Sequence, residues 1–390
     1  MGKLDINSVK YAVEANIPDC WLPLEAVLSA VGAAMLKDID HCIGLILVAE
    51  PGGRKSTTLE LLGSDEPIIR IYNFSPASFV SHNAAKSSKQ LEGVDLLPKI
   101  KHRIMLVPEL APLFGQRYED LVSDIAIFTA VMDGKGYSSS SGVHGIRRYE
   151  GDFRFSLIAA TTPLERRAWQ ALGKLSSRWI FYRLPEASTE YKSLAQDFIA
   201  SKDLCKEFVG AFIKDFWKGY ATVDWNRSDD DEELGRQLNQ SAVAMSKWRG
   251  LMPRQEYGAG YNPPIIEAPD RLRETLYALA RGHAQLYGRQ QLNQQDVDFI
   301  ISINETNMPE DRLRVFLAFK EAYRESIARG SKPKDIHAEG ISITESARFI
   351  GCKPDKAHSV MDELIDLGVV RKGNARIAPT VRDQMYYRII

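Results

Sequence analysis

Residues 43–58 read IGLILVAEPGGRKSTT and lead into LELLG. The apolar run 43–48 predicts a buried strand. STTLELLG, 56–63, predicts a helix closed by Gly63. Between them lies a turn with the shape of a phosphate-binding loop. Such a loop needs small residues, so that backbone N–H groups can wrap a phosphate. It also needs a lysine for charge and a hydroxyl for Mg²⁺. Pro51, Gly52 and Gly53 supply the turn, Lys55 the charge and Ser56 the hydroxyl, with Glu50, Arg54 and Thr57 completing the stretch. Two positions where such loops carry glycine hold Ala49 and Arg54. The competing reading is an ordinary strand-to-helix turn.

Outward from this stretch, further short apolar runs alternate with helical patterns. A helix is expected over 22–37. Strands are expected over 67–74, 103–107 and 155–163, and another helix over 119–132. The polar stretch 82–93 reads as a loop with a short helix, and the Gly/Ser-rich 133–153 as an inserted hairpin. Strands alternating with helices predict an α/β fold, a parallel sheet covered on both faces. Ligands of such sheets bind beyond the carboxyl ends of the strands. After about residue 190 the pattern turns helical, at 207–217 and 271–288. The acidic run SDDDEELG, 228–235, reads as a solvated helix start, and GYNPPIIEAP, 260–269, as a rigid linker. The last fifty-odd residues carry the rhythm of a winged helix-turn-helix: a helix over 344–350, a turn at Gly351, a helix over 354–366 and a basic hairpin. SKPKD before it reads as a linker.

The chain has 390 residues, 44% apolar and 26% charged, with net charge −1. That length predicts several domains: an N-terminal helical segment 1–40, a core 41–190, a helical unit 191–330 and a winged-helix unit 335–390. With no overall positive field, a nucleic-acid surface has to be local. The apolar stretch 20–36 contains Glu25 and is too short and interrupted to span a bilayer. With no signal-like N-terminus, a cytoplasmic protein is expected. The four cysteines form no CxxC pair, so free thiols are expected.

The polar strand ends carry the remaining chemistry. Glu109, in RIMLVPEL, offers a carboxylate for Mg²⁺ or water, with Pro108 where a second acid is usual. Thr161 and Thr162 end the next strand, where a hydroxyl can sense the γ-phosphate or the lytic water. Arg178, in KLSSRWIFYRL, lies in a short loop between a helix and an apolar strand, from which an arginine could reach a neighbouring subunit's γ-phosphate as an arginine finger. Arg271 can contact the γ-phosphate from the helical unit, with Arg273 as rival. Each has a plainer alternative: a lone surface acid, strand-end turn chemistry, a structural ion pair, a solvent-facing arginine.

The order of these motifs resembles the AAA+ ATPases: phosphate loop, acidic strand, hairpin, sensor strand, Ser177-Arg178-Trp179, then a helical lid. The hairpin before the sensor strand is similar to the insertion of the clade containing the minichromosome maintenance helicases. LIAATTP (157–163) is similar to that clade's LAAANP, and 271–297 to its lid helices. Phage- and plasmid-type ATPases whose lids end in a winged helix are also similar. The resemblance covers roughly 20–385. It implies an AAA+ parallel-sheet core with a helical lid, ATP as ligand, Mg²⁺ held by Ser56 and Glu109, and catalytic roles for Glu109, Thr162 and Arg178. It also implies a homo-oligomeric ring, possibly a hexamer. Ala49, Arg54, Pro108 and Thr162 depart from the pattern and bear on hydrolysis more than on binding.

In that clade the hairpin lines a pore and contacts DNA. Here Lys135, His144, Arg147 and Arg148 are its available groups. Lys356 and His358 on the second C-terminal helix, and Arg371, Lys372 and Arg376 on the wing, are further candidates for DNA. Three readings follow. One is a DNA-dependent, helicase-like motor in replication of a chromosome or mobile element. The second is a slowly or non-hydrolysing, nucleotide-gated DNA-binding regulator. The third is a protein remodeller like the chaperone-type members of the clade.

Overall fold

The computed structural model describes residues 4–73, 75–81, 88–141, 145–175, 178–185, 198–253, 262–330, 343–372 and 377–379. The chain opens with α1 (Ile6–Asn16), a 3₁₀ turn over Pro18–Cys20 and α2 (Trp21–Ala33). Next come β1 (Ile43–Val48), α3 (Lys55–Glu60), β2 (Ile68–Arg70), the short helices α4 (Ser88–Glu92) and α5 (Leu96–Ile100), and β3 (Ile104–Val107). After α6 (Ala111–Phe114) and α7 (Tyr118–Val131), β4 (Gly136–Ser141) and β5 (Gly145–Glu150) form the hairpin. β6 (Ser156–Thr161), α8 (Arg166–Leu175) and β7 (Trp179–Arg183) complete the sheet.

Five strands form a parallel sheet in the order β2-β3-β6-β1-β7. Every residue of β1, β3 and β6 is buried. This is what the unbroken apolar runs predict for strands covered on both faces. On one face Leu45, Leu47 and Ile158 pack with α2 and α3. On the other, Ile46, Leu157 and Phe181 pack with α7 and α8.

The helical region comprises α9 (Phe198–Phe216), α10 (Glu232–Trp248), α11 (Asp270–Leu286), α12 (Gln294–Asn304) and α13 (Glu310–Ala328). It joins the α2 face of the core. The acidic run starts α10: Asp231 caps it by accepting from the Glu233 N–H at 2.8 Å. Asp230 is not merely solvated. It accepts from Trp225 Nε1 at 2.8 Å, Tyr277 Oη at 2.5 Å and the Leu292 N–H at 2.9 Å. At the C-terminal end, α14 (Ile343–Ile350) and α15 (Pro354–Asp366) pack together beside the ribbon β8 (Val370–Lys372) and β9 (Ile377–Pro379). The SKPKD stretch lies outside the described residues.

Two differences from the sequence expectations have clear causes. α2 stops at Ala33 rather than at 37 because the chain there pairs with a distant segment. Met35 C=O accepts from Val223 N–H at 2.9 Å, and Lys37 N–H donates to Val223 C=O at 3.0 Å. The periodicity within 22–37 also conceals what Gly32 is for. A Cβ at Gly32 would lie 2.3 Å from the carbonyl oxygen of Gly282. One at Gly282 would lie 2.2 Å from the Ser29 carbonyl oxygen. α2 and α11 therefore cross backbone against backbone.

Ion pairs with buried members flank this crossing. Arg281, with no exposed side-chain surface, donates from Nη1 to both carboxylate oxygens of Asp38 at 2.8 Å. Buried His283 contacts Asp296 at 2.5 Å and Glu25 at 3.3 Å, and Tyr287 donates to the same Glu25 oxygen. Burial works to lower the pKa of His283, but hydrogen bonds and charge from Asp296 and Glu25 outweigh it and raise it.

β7 is an edge strand, and its outer side is not bare. Phe181 N–H donates to Asn307 Oδ1 at 3.1 Å, and Arg183 N–H to Thr306 Oγ1 at 2.9 Å. Side chains between α12 and α13 thus do the work of a sixth strand. The four cysteines are free. Burial pushes the Cys42 thiol up to about 12. No helix among the described residues is long and apolar enough to cross a membrane.

Two outcomes follow. Gly282→Ala forces two backbones apart and should cost about 1–3 kcal/mol or more, read as a lower urea midpoint with unchanged m-value. The His283 contribution should be fully present below its ordinary value near 6.5. It should be lost as pH rises through the higher folded-state value. A denaturation series from pH 6 upward should show this decline in the native chain and not in His283→Gln.

Candidate functional site

At the end of β1 the chain is held on both sides. Val48 C=O accepts from Leu184 N–H at 2.9 Å, and Ala49 N–H donates to Thr161 C=O at 3.3 Å. Gly52 has φ +83° and Arg54 φ +60°. Gly53 N–H closes a turn onto Glu50 C=O at 3.0 Å. A Cβ at Gly53 would lie 2.7 Å from Ala49 Cβ, so a small residue is required there and no bulk is tolerated opposite it. Lys55 is buried, and its Nζ donates back to Ala49 C=O at 3.1 Å. Ser56 is exposed and Thr57 half-buried.

Arg54 takes the left-handed conformation usually left to glycine, at a cost of about 1 kcal/mol. Its guanidinium does not stand free beside Lys55. It pairs with Asp19, in the turn before α2, at 3.1 Å.

The sheet register brings other groups to this end. Val48 lies opposite Thr161 on one side and Arg183 on the other, and Val107 lies opposite Ala159. The loop 49–56, Glu109, Thr162 and Arg183 therefore gather beyond the same strand ends, with β1 between β6 and β7. Glu109 is half-buried, and its Oε1 accepts the Ala111 N–H at 3.0 Å. Thr162 is half-buried. Its neighbour Thr161 is fully buried, with an Oγ1 that has no hydrogen-bond partner.

Arg183 was not among the groups expected from sequence. It reaches Glu50 of the loop at 3.8 Å and pairs with Glu310 at the start of α13. The only sequence signal is an arginine ending the apolar strand WIFYR.

Arg178 is at the other end of the sheet. Trp179 pairs with Gly44, so Arg178 precedes β7 at the level where β1 begins. Six residues of strand, about 20 Å, separate it from the loop. It pairs with Asp133 after α7, and only 9% of its side chain is exposed. Burial, and then the positive charge of Arg271, push its guanidinium below its ordinary value. Arg271 is thus within electrostatic reach of Arg178, which is remote from the loop of its own chain. Arg273 pairs with Asp270 at 3.3 Å and Glu274 at 3.8 Å. Ser177 lies outside the described residues.

The expected DNA-facing groups differ in kind. Arg147 faces inward and fastens the hairpin. It pairs with fully buried Asp95 at 2.7 Å and donates to Ser81 C=O, while Tyr149 Oη reaches Asp95 at 2.6 Å. Arg148 is on the outer face, 66% exposed, 3.2 Å from Glu150. Lys135 is exposed and 3.8 Å from Asp40. His144 and Arg376 lie outside the described residues, and Arg371 and Lys372 lie in β8. On α15, His358 pairs with Asp362 at 2.8 Å, and Lys356 is exposed. Asp355, Asp362, Glu363 and Asp366 share that helix, which dilutes its positive charge.

The donor set at the loop fits a nucleoside triphosphate and its cation. It has a buried ammonium, an exposed hydroxyl on the next residue and a carboxylate on a nearby strand end. A cavity of about 370 Å³ lies apart from the loop, where α8, α13 and α15 meet.

No family model matches the chain, and no curated protein matches it. The loop geometry yields a direct test. Arg54→Gly relieves the left-handed strain while losing the Asp19 pair, whereas Arg54→Ala loses the pair and keeps the strain. Arg54→Gly should be the more stable of the two by about 1 kcal/mol in urea denaturation.

Proposed function

We propose that this chain is an AAA+-type protein that binds ATP with Mg²⁺ at residues 50–57, hydrolyses it slowly, and acts on DNA as a nucleotide-gated regulator. One observation carries the binding reading. Lys55 is tucked under a kinked loop, with Ser56 exposed beside it. Both sit at the carboxyl end of the strand that lies between β6 and β7 in a parallel sheet, the end at which such sheets bind ligands. Lys55 would release Ala49 C=O and turn its ammonium to the phosphates. Ser56 and Glu109 would hold the cation, which screens phosphate charge when bound. Thr162 would orient water.

Two observations support slow turnover. Glu109 is partly committed to Ala111 N–H. Arg178 is held in an ion pair with Asp133 and largely buried. An arginine finger in that state must first break its pair.

The motor reading has one observation in its favour. Arg178 stands at the end of the sheet away from the loop, so only the nucleotide of a neighbouring copy in a ring would meet it. DNA would meet the outer face of the hairpin, where Arg148 and Lys135 are exposed.

Equilibrium binding of a fluorescent ATP analogue, paired with steady-state turnover with and without DNA, tests this. The native chain should bind with Mg²⁺, and Lys55→Ala should bind at least tenfold more weakly, about 1.4 kcal/mol. Turnover should be slow and unmoved by DNA. Strong DNA stimulation would favour the motor, and absence of ATP binding would overturn both readings.

A further inference from the structure

The cavity of about 370 Å³ between α8, the start of α13 and the pair α14–α15 has the volume of a small-ligand site. Leu251, Met252 and Ile350 supply apolar lining, and Trp169 lines it with a ring that packs against Phe181, centroids 5.1 Å apart. Five cationic side chains line it, against three carboxylates.

The pairing among these charges is uneven. Arg166 and Arg312 share the single buried carboxylate of Glu363. Arg314 pairs with Glu310 at 2.9 Å. The Lys356 ammonium has no ion-pair or hydrogen-bond partner among the described residues, and neither has the side-chain amide of Gln170. Arg249 has only 6% of its side chain exposed, and the nearest carboxylate, Glu267, is 3.6 Å from its Nε. Its Nη1 is buried without a hydrogen-bond partner. Of the five, Arg249 and Arg312 are the buried ones, and Arg312 also donates from Nη1 to the carbonyls of Trp248 and Gly250. Arg249 Nη1 is thus the buried donor left over, which is costly unless an anion compensates it.

We propose that this cavity is a second ligand site, separate from the loop, that takes a small nucleoside phosphate. Lys356, Arg314 and Arg166, from three different helices, would hold the phosphate. The Gln170 amide offers the paired donor and acceptor that match a base edge, and Trp169 provides an aromatic wall. The ligand would bridge the sheet unit, α13 and the C-terminal helix pair, and so fasten that pair to the body through linkage. Lys356 then serves this site rather than DNA. Nothing here depends on nucleotide binding at the loop.

The test uses the full chain carrying Lys55→Ala, so that the loop's contribution is weakened, and isothermal titration with AMP, inorganic phosphate and a 5′-phosphorylated oligonucleotide. AMP should bind and raise the melting temperature. Lys356→Glu should weaken AMP at least tenfold, and Lys356→Arg should stay within about threefold, as a phosphate contact requires. Gln170→Ala should weaken AMP and leave phosphate binding unchanged, a split that a merely structural role would not produce. No AMP binding up to millimolar concentration would overturn the proposal. So would an affinity indifferent to Lys356→Glu, or tighter binding of the oligonucleotide than of AMP.

Discussion

Gly32 and Gly282 let α2 and α11 meet with no side chain between them, and much of the molecule is arranged around that contact. Twelve of the thirteen residues of α2 are buried, because the helix has the sheet on one side and the helical region on the other. Of the flanking pairs, His283 with Glu25 and Asp296 is desolvated, and Arg281 is fully buried although its partner Asp38 reaches solvent. Such pairs hold only in one register, since a slip would leave a charge buried and alone. The helical region is therefore no free-swinging lid. It moves with α2, and α2 is tied by Asp19 to the kink of the loop.

Much of the sheet was legible in the sequence. IGLILV, RIMLV and FSLIAAT are apolar runs of strand length, and both faces of their strands are indeed covered. The Gly/Ser hairpin was legible from its turn chemistry. What was not legible depended on distant partners. Nothing local to 34–37 announces pairing with 221–223, so α2 was expected to run on. Arg147 was visible as a charge, but Asp95, which holds it, is 52 residues away. Arg54 was visible as an intruder in a glycine position, yet its partner lies before α2. Arg183 acquires meaning only once β7 is known to lie beside β1. Gly282 carries a faint signal, a glycine inside a helical pattern, which hints at close packing.

The candidate site divides along the sheet. The loop, Glu109 and Thr162 gather at the carboxyl ends of the strands, whereas Arg178 sits at the amino end of β7. Several of the cations that looked available are already engaged inside the molecule. Arg54, Arg147 and Arg178 each have a carboxylate partner. Among the candidates for a polyanion, Arg148 and Lys135 on the outer hairpin side remain exposed.

The capped edge of β7 also bears on how the chain is made. Its caps, Thr306 and Asn307, come 123 and 126 residues after the groups they satisfy. At about 5–20 residues per second, the ribosome emits them roughly 6–25 seconds after the strand they protect. During that interval the nascent sheet has an open, apolar border able to pair with any passing strand. Folding of this protein is a race between synthesis of the helical region and capture of that border.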